Sequence, residues 1–320
     1  MKRVVHFARA IVFVLLLILS SYTSFSQSFT TGNGKVELGF GLGPAFFLGD
    51  LGGSAGIGKT FVKDVDFPLT SLCKGLFVTI SPNEWLGFRL AVNHAVLEGD
   101  DKEAPNKGGA ERYRLQRNLN FKSSMLEAHF GVEFFPTVFM EQYDGLMGKF
   151  RPYGIIGIGA YHFNPKTKDD SGNWVELQPL HTEGQGFAEY PNRQVYKLTQ
   201  MEVPMGFGFK FYVKENMFIG LEVMHRKLFT DYVDDVSTTY IDPLLFNNYL
   251  TPDKAALASQ LYYRSDDLNP TSRPALDEQR GDPKENDAFF STILRMGWRI
   301  NGNLSPNGRA MRQLRCPLYY

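Results

Sequence analysis

The sequence predicts an all-β fold: an eight-stranded antiparallel transmembrane β-barrel of the outer-membrane type, with long extracellular loops and short periplasmic turns. Three observations lead there. An export signal opens the chain. No later apolar run reaches the ~18 residues of a membrane-spanning helix. Segments with a two-residue hydrophobic period recur almost to the C-terminal end.

The export signal is read over residues 1–26. Lys2, Arg3 and Arg9 form its basic start, "IVFVLLLILS" its apolar centre, and Ser24 and Ser26 the small residues ahead of a cut before Gln27. The apolar run is too short for an anchor, and no Cys follows the cut to receive lipid. Of the 320 residues, 34 are Lys or Arg and 34 are Asp or Glu. Losing three cations with the signal leaves a mildly acidic mature chain, without the basic footprint of a nucleic-acid binder. Counts of 31 Gly and 27 Phe suit aromatic strands. Cys73 and Cys316 fall at opposite ends of the expected molecule, which makes them two unpaired thiols.

The strands follow in order near 35–48, 72–81, 86–98, 120–135, 151–163, 198–213, 217–231 and 288–301, a barrel domain within 27–301. In the first, Val36, Leu38, Phe40 and Leu42 share one face and Glu37 and the glycines the other. In the sixth, Val203, Met205, Phe207, Phe209 and Phe211 oppose Glu202, Gly206, Gly208 and Lys210. The connections alternate in length. "SPNE" (Ser81 to Glu84) and "KEN" (Lys214 to Asn216) are tight, and the link through Pro136 and Gly148 is moderate. Links 49–71, 99–119, 164–197 and 232–287 are long. Short periplasmic and long extracellular connections are the outer-membrane pattern. Residues 302–320 are then a periplasmic tail.

Alternation assigns Glu37, Arg89, Asn93, Glu127, His129, Glu133, Glu202, Lys210, Glu222, Arg226, Arg295 and Arg299 to the lumen. An eight-stranded ring has room only for side chains, so paired charges should plug it. Phe88, Leu90, Val92, Phe130, Val132, Phe134, Ile219, Leu221, Val223, Leu294 and Trp298 would face lipid, with Tyr153, Tyr161 and Trp298 in the interfacial girdles. A soluble lipocalin-type barrel would turn the apolar face inward instead.

"GDLGGSAGIGKT" matches the P-loop pattern through Gly53, Gly58, Lys59 and Thr60. An alternating strand precedes it and no helical stripe follows, so no nucleotide is expected; the loop is simply rich in glycine. Asp231, Asp234, Asp235 and Asp242 cluster, but lack the EF-hand spacing and read as a solvated loop. His94, His162, His181 and His225 lie near strand ends or in loops. No Cys/His spacing suggests zinc, and no cofactor is expected. "GNWVELQPLHTEGQGF" reads as a lid folded over the barrel mouth, or as a binding patch, carried by Trp174, Glu176, Leu177, Gln178 and Glu183. Arg309, Arg312 and Arg315 make the tail basic, either a plain terminus or a docking segment for an acidic periplasmic partner.

Long strings in the chain resemble the PorG-like outer-membrane barrels of the type IX (Por) secretion system. They are "ELGFGLGPAFFLGDLGG", "GKTFVKDVDFP", "RLQRNLNFKSSMLE", "FRPYGIIGIGAYHFNPK", "GNWVELQPLHTEGQG", "VPMGFGFKF" and "GLEVMHRKLFTDYVDDVSTTY". The resemblance runs from the first strand almost to the tail, excepting 250–286. It implies a non-enzymatic envelope component set in outer-membrane lipid. Its implied partners are a periplasmic ring lipoprotein and that lipoprotein's partner subunit, in a machine for protein secretion and, in some bacteria, gliding. Two other readings stand beside it. One is a surface enzyme acting on lipid A or phospholipid, which needs a His and a nucleophile within hydrogen-bond reach at the outer rim. The other is a loop-borne receptor or adhesin.

Overall fold

The computed structural model describes residues 35–51, 71–103, 111–140, 149–214, 216–269 and 273–300. The export signal, the P-loop match at 53–60, the tail 302–320 with Arg309, Arg312 and Arg315, and Cys316 lie outside the described residues. Cys73 is buried and free.

Eight long strands close a barrel: β1 (Lys35–Leu48), β2 (Ser71–Ser81), β3 (Leu86–Asp100), β4 (Asn120–Phe134), β5 (Phe150–His162), β8 (Thr199–Lys214), β9 (Met217–Leu228) and β10 (Ala288–Arg299). Between β5 and β8 the short β6 (Pro165–Lys168) and β7 (Trp174–Glu176) form a hairpin that prolongs the sheet beyond β4. Every barrel strand pairs antiparallel with two neighbours. β10 against β1 joins the first and last described strands, and β3 against β4 completes the ring, in register from Leu86↔Phe134 to Asp100↔Asn120. A closed ring leaves no edge of unpaired backbone groups, which hydrocarbon requires.

The two faces of the wall have opposite chemistry. In β4, Leu126, Phe130 and Phe134 are exposed, while Glu127, His129 and Glu133 between them are buried. Leu76, Leu90, Ile158 and Phe207 on other strands are each 60% exposed or more. An apolar outside around a charged inside is the reverse of a soluble ligand-binding barrel and places this chain in the outer membrane. Trp85, Phe134 and Phe139 cluster on the outside at the short-turn end, with ring centroids 6.1–6.3 Å apart. With Trp298, 40% exposed, they supply interfacial aromatics there.

Two expectations about individual side chains are corrected. Tyr153 and Tyr161 are not girdle residues: they are 3% and 1% exposed and point inward, because each sits in phase with Arg151 and Ile155 rather than with the outward Ile156 and Ile158. β9 stops at Leu228 instead of 231, because Thr230 and Asp231 turn in and are buried under the loops.

At the long-loop end the connections fold together. A single apolar cluster runs from Phe289 and Ile293 at the top of the lumen through Phe163, Leu180 and Phe187 to Phe246 and Leu261 in the last loop. That loop carries a helix, Pro252–Leu261, that buries Ala255, Ala258 and Leu261. The extracellular mouth is roofed by a packed cap.

Candidate functional site

The lumen is filled in two tiers. The tier toward the short turns holds Glu37, Glu133 and Glu222 against Arg89, Lys210 and Arg295, all 2% exposed or less. Arg89 donates from Nε to Glu133 Oε1 at 2.5 Å and from Nη1 to Glu222 Oε2 at 2.6 Å. Lys210 Nζ bridges Glu37 (2.7 Å) and Glu133 (2.9 Å), and Arg295 Nη1 reaches Glu222 at 3.2 Å. Tyr153 and Tyr212 donate to Glu222 and Glu37, each at 2.6 Å. The Arg295 guanidinium also lies 3.7 Å from the centroid of the Phe77 ring. Three acids meet three bases, which is the condition for burying them. Arg299, half-buried at the rim, sits over Tyr212.

The upper tier holds Glu127, His129, Glu202 and Arg226 with Asn93. Glu127 accepts from Asn93 Nδ2 at 2.5 Å and from Arg226 Nη2 at 2.9 Å. Arg226 also bonds the Ser291 hydroxyl. The structure thus brings the predicted lumen charges into these tiers, except Arg299, which stays at the rim. Glu127, His129 and Glu202 form a group of three possible metal ligands, with one ligand atom from each within 4.8 Å of the others.

The cap is held by buried ion pairs of its own. Arg117 donates to both oxygens of Asp101 at 2.8 Å and to the carbonyls of Asp50 and Arg280, so one guanidinium ties three loops. Glu183 is fully buried. It accepts from Ser237 N (3.0 Å), Thr238 N (2.9 Å), Thr238 Oγ1 (2.7 Å) and Arg280 Nη1 (2.8 Å). Asp235 stands at a left-handed φ of 65°, fixed by Thr182 and Tyr196, which each donate at 2.6 Å. The aspartate cluster is therefore no solvated loop: Asp231, Asp234 and Asp235 are 8%, 1% and 0% exposed, because the last two loops close over them. Burial pushes the Asp231 carboxyl up to about 9 and Asp50 and Asp235 up to about 6. Burial with facing aspartates also drives Asp234 and Asp287 well above the ordinary range.

The residues proposed for the lid divide. Leu177 and Glu183 are cap interior, and Gln178 donates to the Tyr196 carbonyl at 3.2 Å. Trp174 and Glu176 stay outside on the β6–β7 hairpin. Trp174 is 51% exposed, with the Lys122 and Lys168 ammoniums 5.8 and 5.2 Å from its ring, and Glu176 pairs with Lys166 at 2.9 Å. Sequence reasoning missed Asp50, Asp101, Arg117, Arg280 and Asp287. They lie in loops without periodicity, where only the folded cap brings them together.

Two histidines meet hydroxyls on the outer wall near the rim: His94 Nε2 and Ser124 Oγ are 3.1 Å apart, and His162 Nδ1 and Thr199 Oγ1 3.0 Å. His162 and Thr199 are direct cross-strand partners.

No protein-family model matches the chain, and no curated protein does. Solved structures resemble it in shape. A major outer membrane protein from Thermus thermophilus is 12% identical with a TM-score of 0.39, covering 83% of this chain and 99% of that one. The attachment invasion locus protein of Yersinia pestis is 9% identical with a TM-score of 0.35, covering 83% and 97%. Outer Membrane Protein W of E. coli is 13% identical with a TM-score of 0.32, covering 84% and 99%. At such low similarity the barrel assignment rests on the strand ladder and burial pattern of the chain itself.

Proposed function

We propose that this outer-membrane barrel is a non-enzymatic anchor whose periplasmic face holds the ring of a type IX secretion machine, built from a lipoprotein and its partner subunit. One observation carries the choice of an anchor over a conduit: the lumen is packed with paired charges and the mouth is roofed. The choice of machine rests on the sequence resemblance to PorG-like barrels. The short-turn end suits a docking surface. Glu84 in the first turn pairs with Lys35 at the start of β1 and with Arg151 on β5, so this rim is stapled across strands.

The test is co-purification. A C-terminally tagged chain, extracted in mild detergent from its own outer membrane, should bring the ring subunits with it. It should lose them when 302–320 is removed or turns 82–85 and 214–216 are rewritten. If it emerges alone while a deletion strain still secretes normally, this reading fails.

The pair of His94 and Ser124 favours a second reading, a surface hydrolase acting on lipid A or phospholipid. His94 Nδ1 has no hydrogen-bond partner to orient the ring, and the His162–Thr199 pair repeats the geometry as an ordinary cross-strand contact. Fatty-acid release from lipid A or phospholipid vesicles, lost in Ser124→Ala, would put the enzyme first. No release by the wild-type chain would remove it.

A further inference from the structure

The two lumen tiers differ in charge. The lower one balances three acids with three bases, whereas in the upper one Glu127 and Glu202 share only Arg226. Glu127 is well held by Asn93 and Arg226. Glu202 is 1% exposed, and neither of its oxygens accepts a hydrogen bond. His129 is 2% exposed, and neither ring nitrogen is hydrogen-bonded; Nδ1 stands 3.5 Å from Glu127 Oε1. The Tyr161 hydroxyl, opposite Glu127 in register, is also unpartnered. Buried groups left this way are costly, and the lower tier pairs every charge it buries.

The backbone is arranged to bring these groups together. His129 on β4 and Glu202 on β8 are both register partners of Gly159 on the intervening β5. A Cβ on Gly159 would lie 2.7 Å from Glu202 Oε1 and 2.8 Å from His129 Cβ. Glycine in the middle strand lets the two flanking side chains converge.

We infer that Glu127, His129 and Glu202 bind a first-row divalent metal ion, of which zinc fits best. One imidazole nitrogen and two carboxylate oxygens are a zinc-type donor set, with a fourth position left for water. Calcium takes six to eight oxygens, which this packed lumen does not offer. Ligand atoms around a tetrahedral zinc are roughly 3.4 Å apart. The three candidate atoms lie within 4.8 Å, and the unbonded Glu202 carboxylate can close the difference. Asn93 and Arg226 would orient Glu127 from behind, as outer-shell groups do. The ion would give the unpartnered Glu202 carboxylate a cation and tie β4 to β8 across the inside of the wall. Its role is structural, and because the cap covers the site it enters as the barrel folds.

The full chain, refolded into detergent micelles with zinc and then dialysed, should retain one zinc per chain by mass spectrometry. Magnesium and calcium should not be retained. Cobalt in its place should give the intense visible bands of a four-coordinate site. Glu202→Gln and His129→Gln should each lose the metal while keeping the heat-modifiable mobility of a folded barrel. Folded wild-type protein without zinc, or both variants retaining it undiminished, overturns the proposal. Should neither variant fold, the cobalt spectrum of the wild-type chain decides: bands of a hydrated ion alone overturn it.

Discussion

The Glu183 carboxylate gathers four donors from two segments of the last loop while wholly buried, and none of those donors lies within fifty residues of it in the chain. Glu183→Ala leaves Arg280 charged and buried, a loss on the order of 3–5 kcal/mol. Amide exchange at Ser237 and Thr238 should accelerate on the order of a hundredfold or more, with the barrel strands unchanged. Unchanged exchange at these two amides would show that Glu183 does not hold the cap. Asp50, Asp231, Asp234 and Asp287 set a pH dependence. All four are raised first by burial; Glu183 and Asp282 add to the rise at Asp50, neighbouring aspartates add to it at the other three, and Arg117 opposes it at Asp50 and Asp234. A raised folded-state value means that the folded cap binds protons the unfolded one releases. The stability this gives is fully present below the ordinary carboxylate value, about 3.9, and is lost as pH rises toward about 9. Loop proteolysis should therefore be slower at pH 5 than at pH 9, using a protease active at both. The reverse order would contradict the assignment. The sequence signalled the lumen acids, because Glu37 and Glu133 fall at a fixed phase on the face opposite the apolar one. It carried no such signal for Asp231 or Asp234, whose burial depends on loops distant in the chain.

At the level of the element, alternation located all eight barrel strands, with end points within a few residues. Their side-chain phase placed Glu127, Glu133 and Glu222 correctly inside, since a two-residue period leaves no freedom once one face is fixed. Tyr153 and Tyr161 depart from the girdle expectation because an aromatic ring suits either face and only its phase decides. The β6–β7 hairpin was illegible because strands of four and three residues carry no period. The helix Pro252–Leu261 buries small residues, Ala255 and Ala258, that make a faint apolar stripe. Segment 164–197 is partly cap interior through Leu177, Leu180 and Phe187, so its deletion would unroof the barrel. Trp174→Ala is the cleaner variant for a surface-binding role. Two glycines of β5 test the wall itself. A Cβ at Gly154 meets nothing nearer than 4.0 Å, whereas one at Gly159 meets three groups at 3.0 Å or less. Gly154→Ala should fold to the wild-type heat-modifiable form and Gly159→Val should not. Equal folding would mean the middle of β5 is less tightly packed than described.

Taken whole, the molecule is a wall with lipid outside, charge pairs inside, a roof on one end and a narrow stapled rim on the other. The roof and the charge tiers are redundant barriers, so opening the cap alone leaves no path through Arg89, Glu133, Lys210, Glu222 and Arg295. That plugged build is the basis for proposing that the barrel works through its surfaces, as an anchor. Conductance across a planar bilayer tests that claim most directly. With the folded chain inserted, molar potassium chloride on both sides and voltage of either sign, the current should stay at the level of the bare membrane. Stable unitary steps from the wild-type chain would mean that the lumen conducts, and the account of a plugged anchor would be wrong.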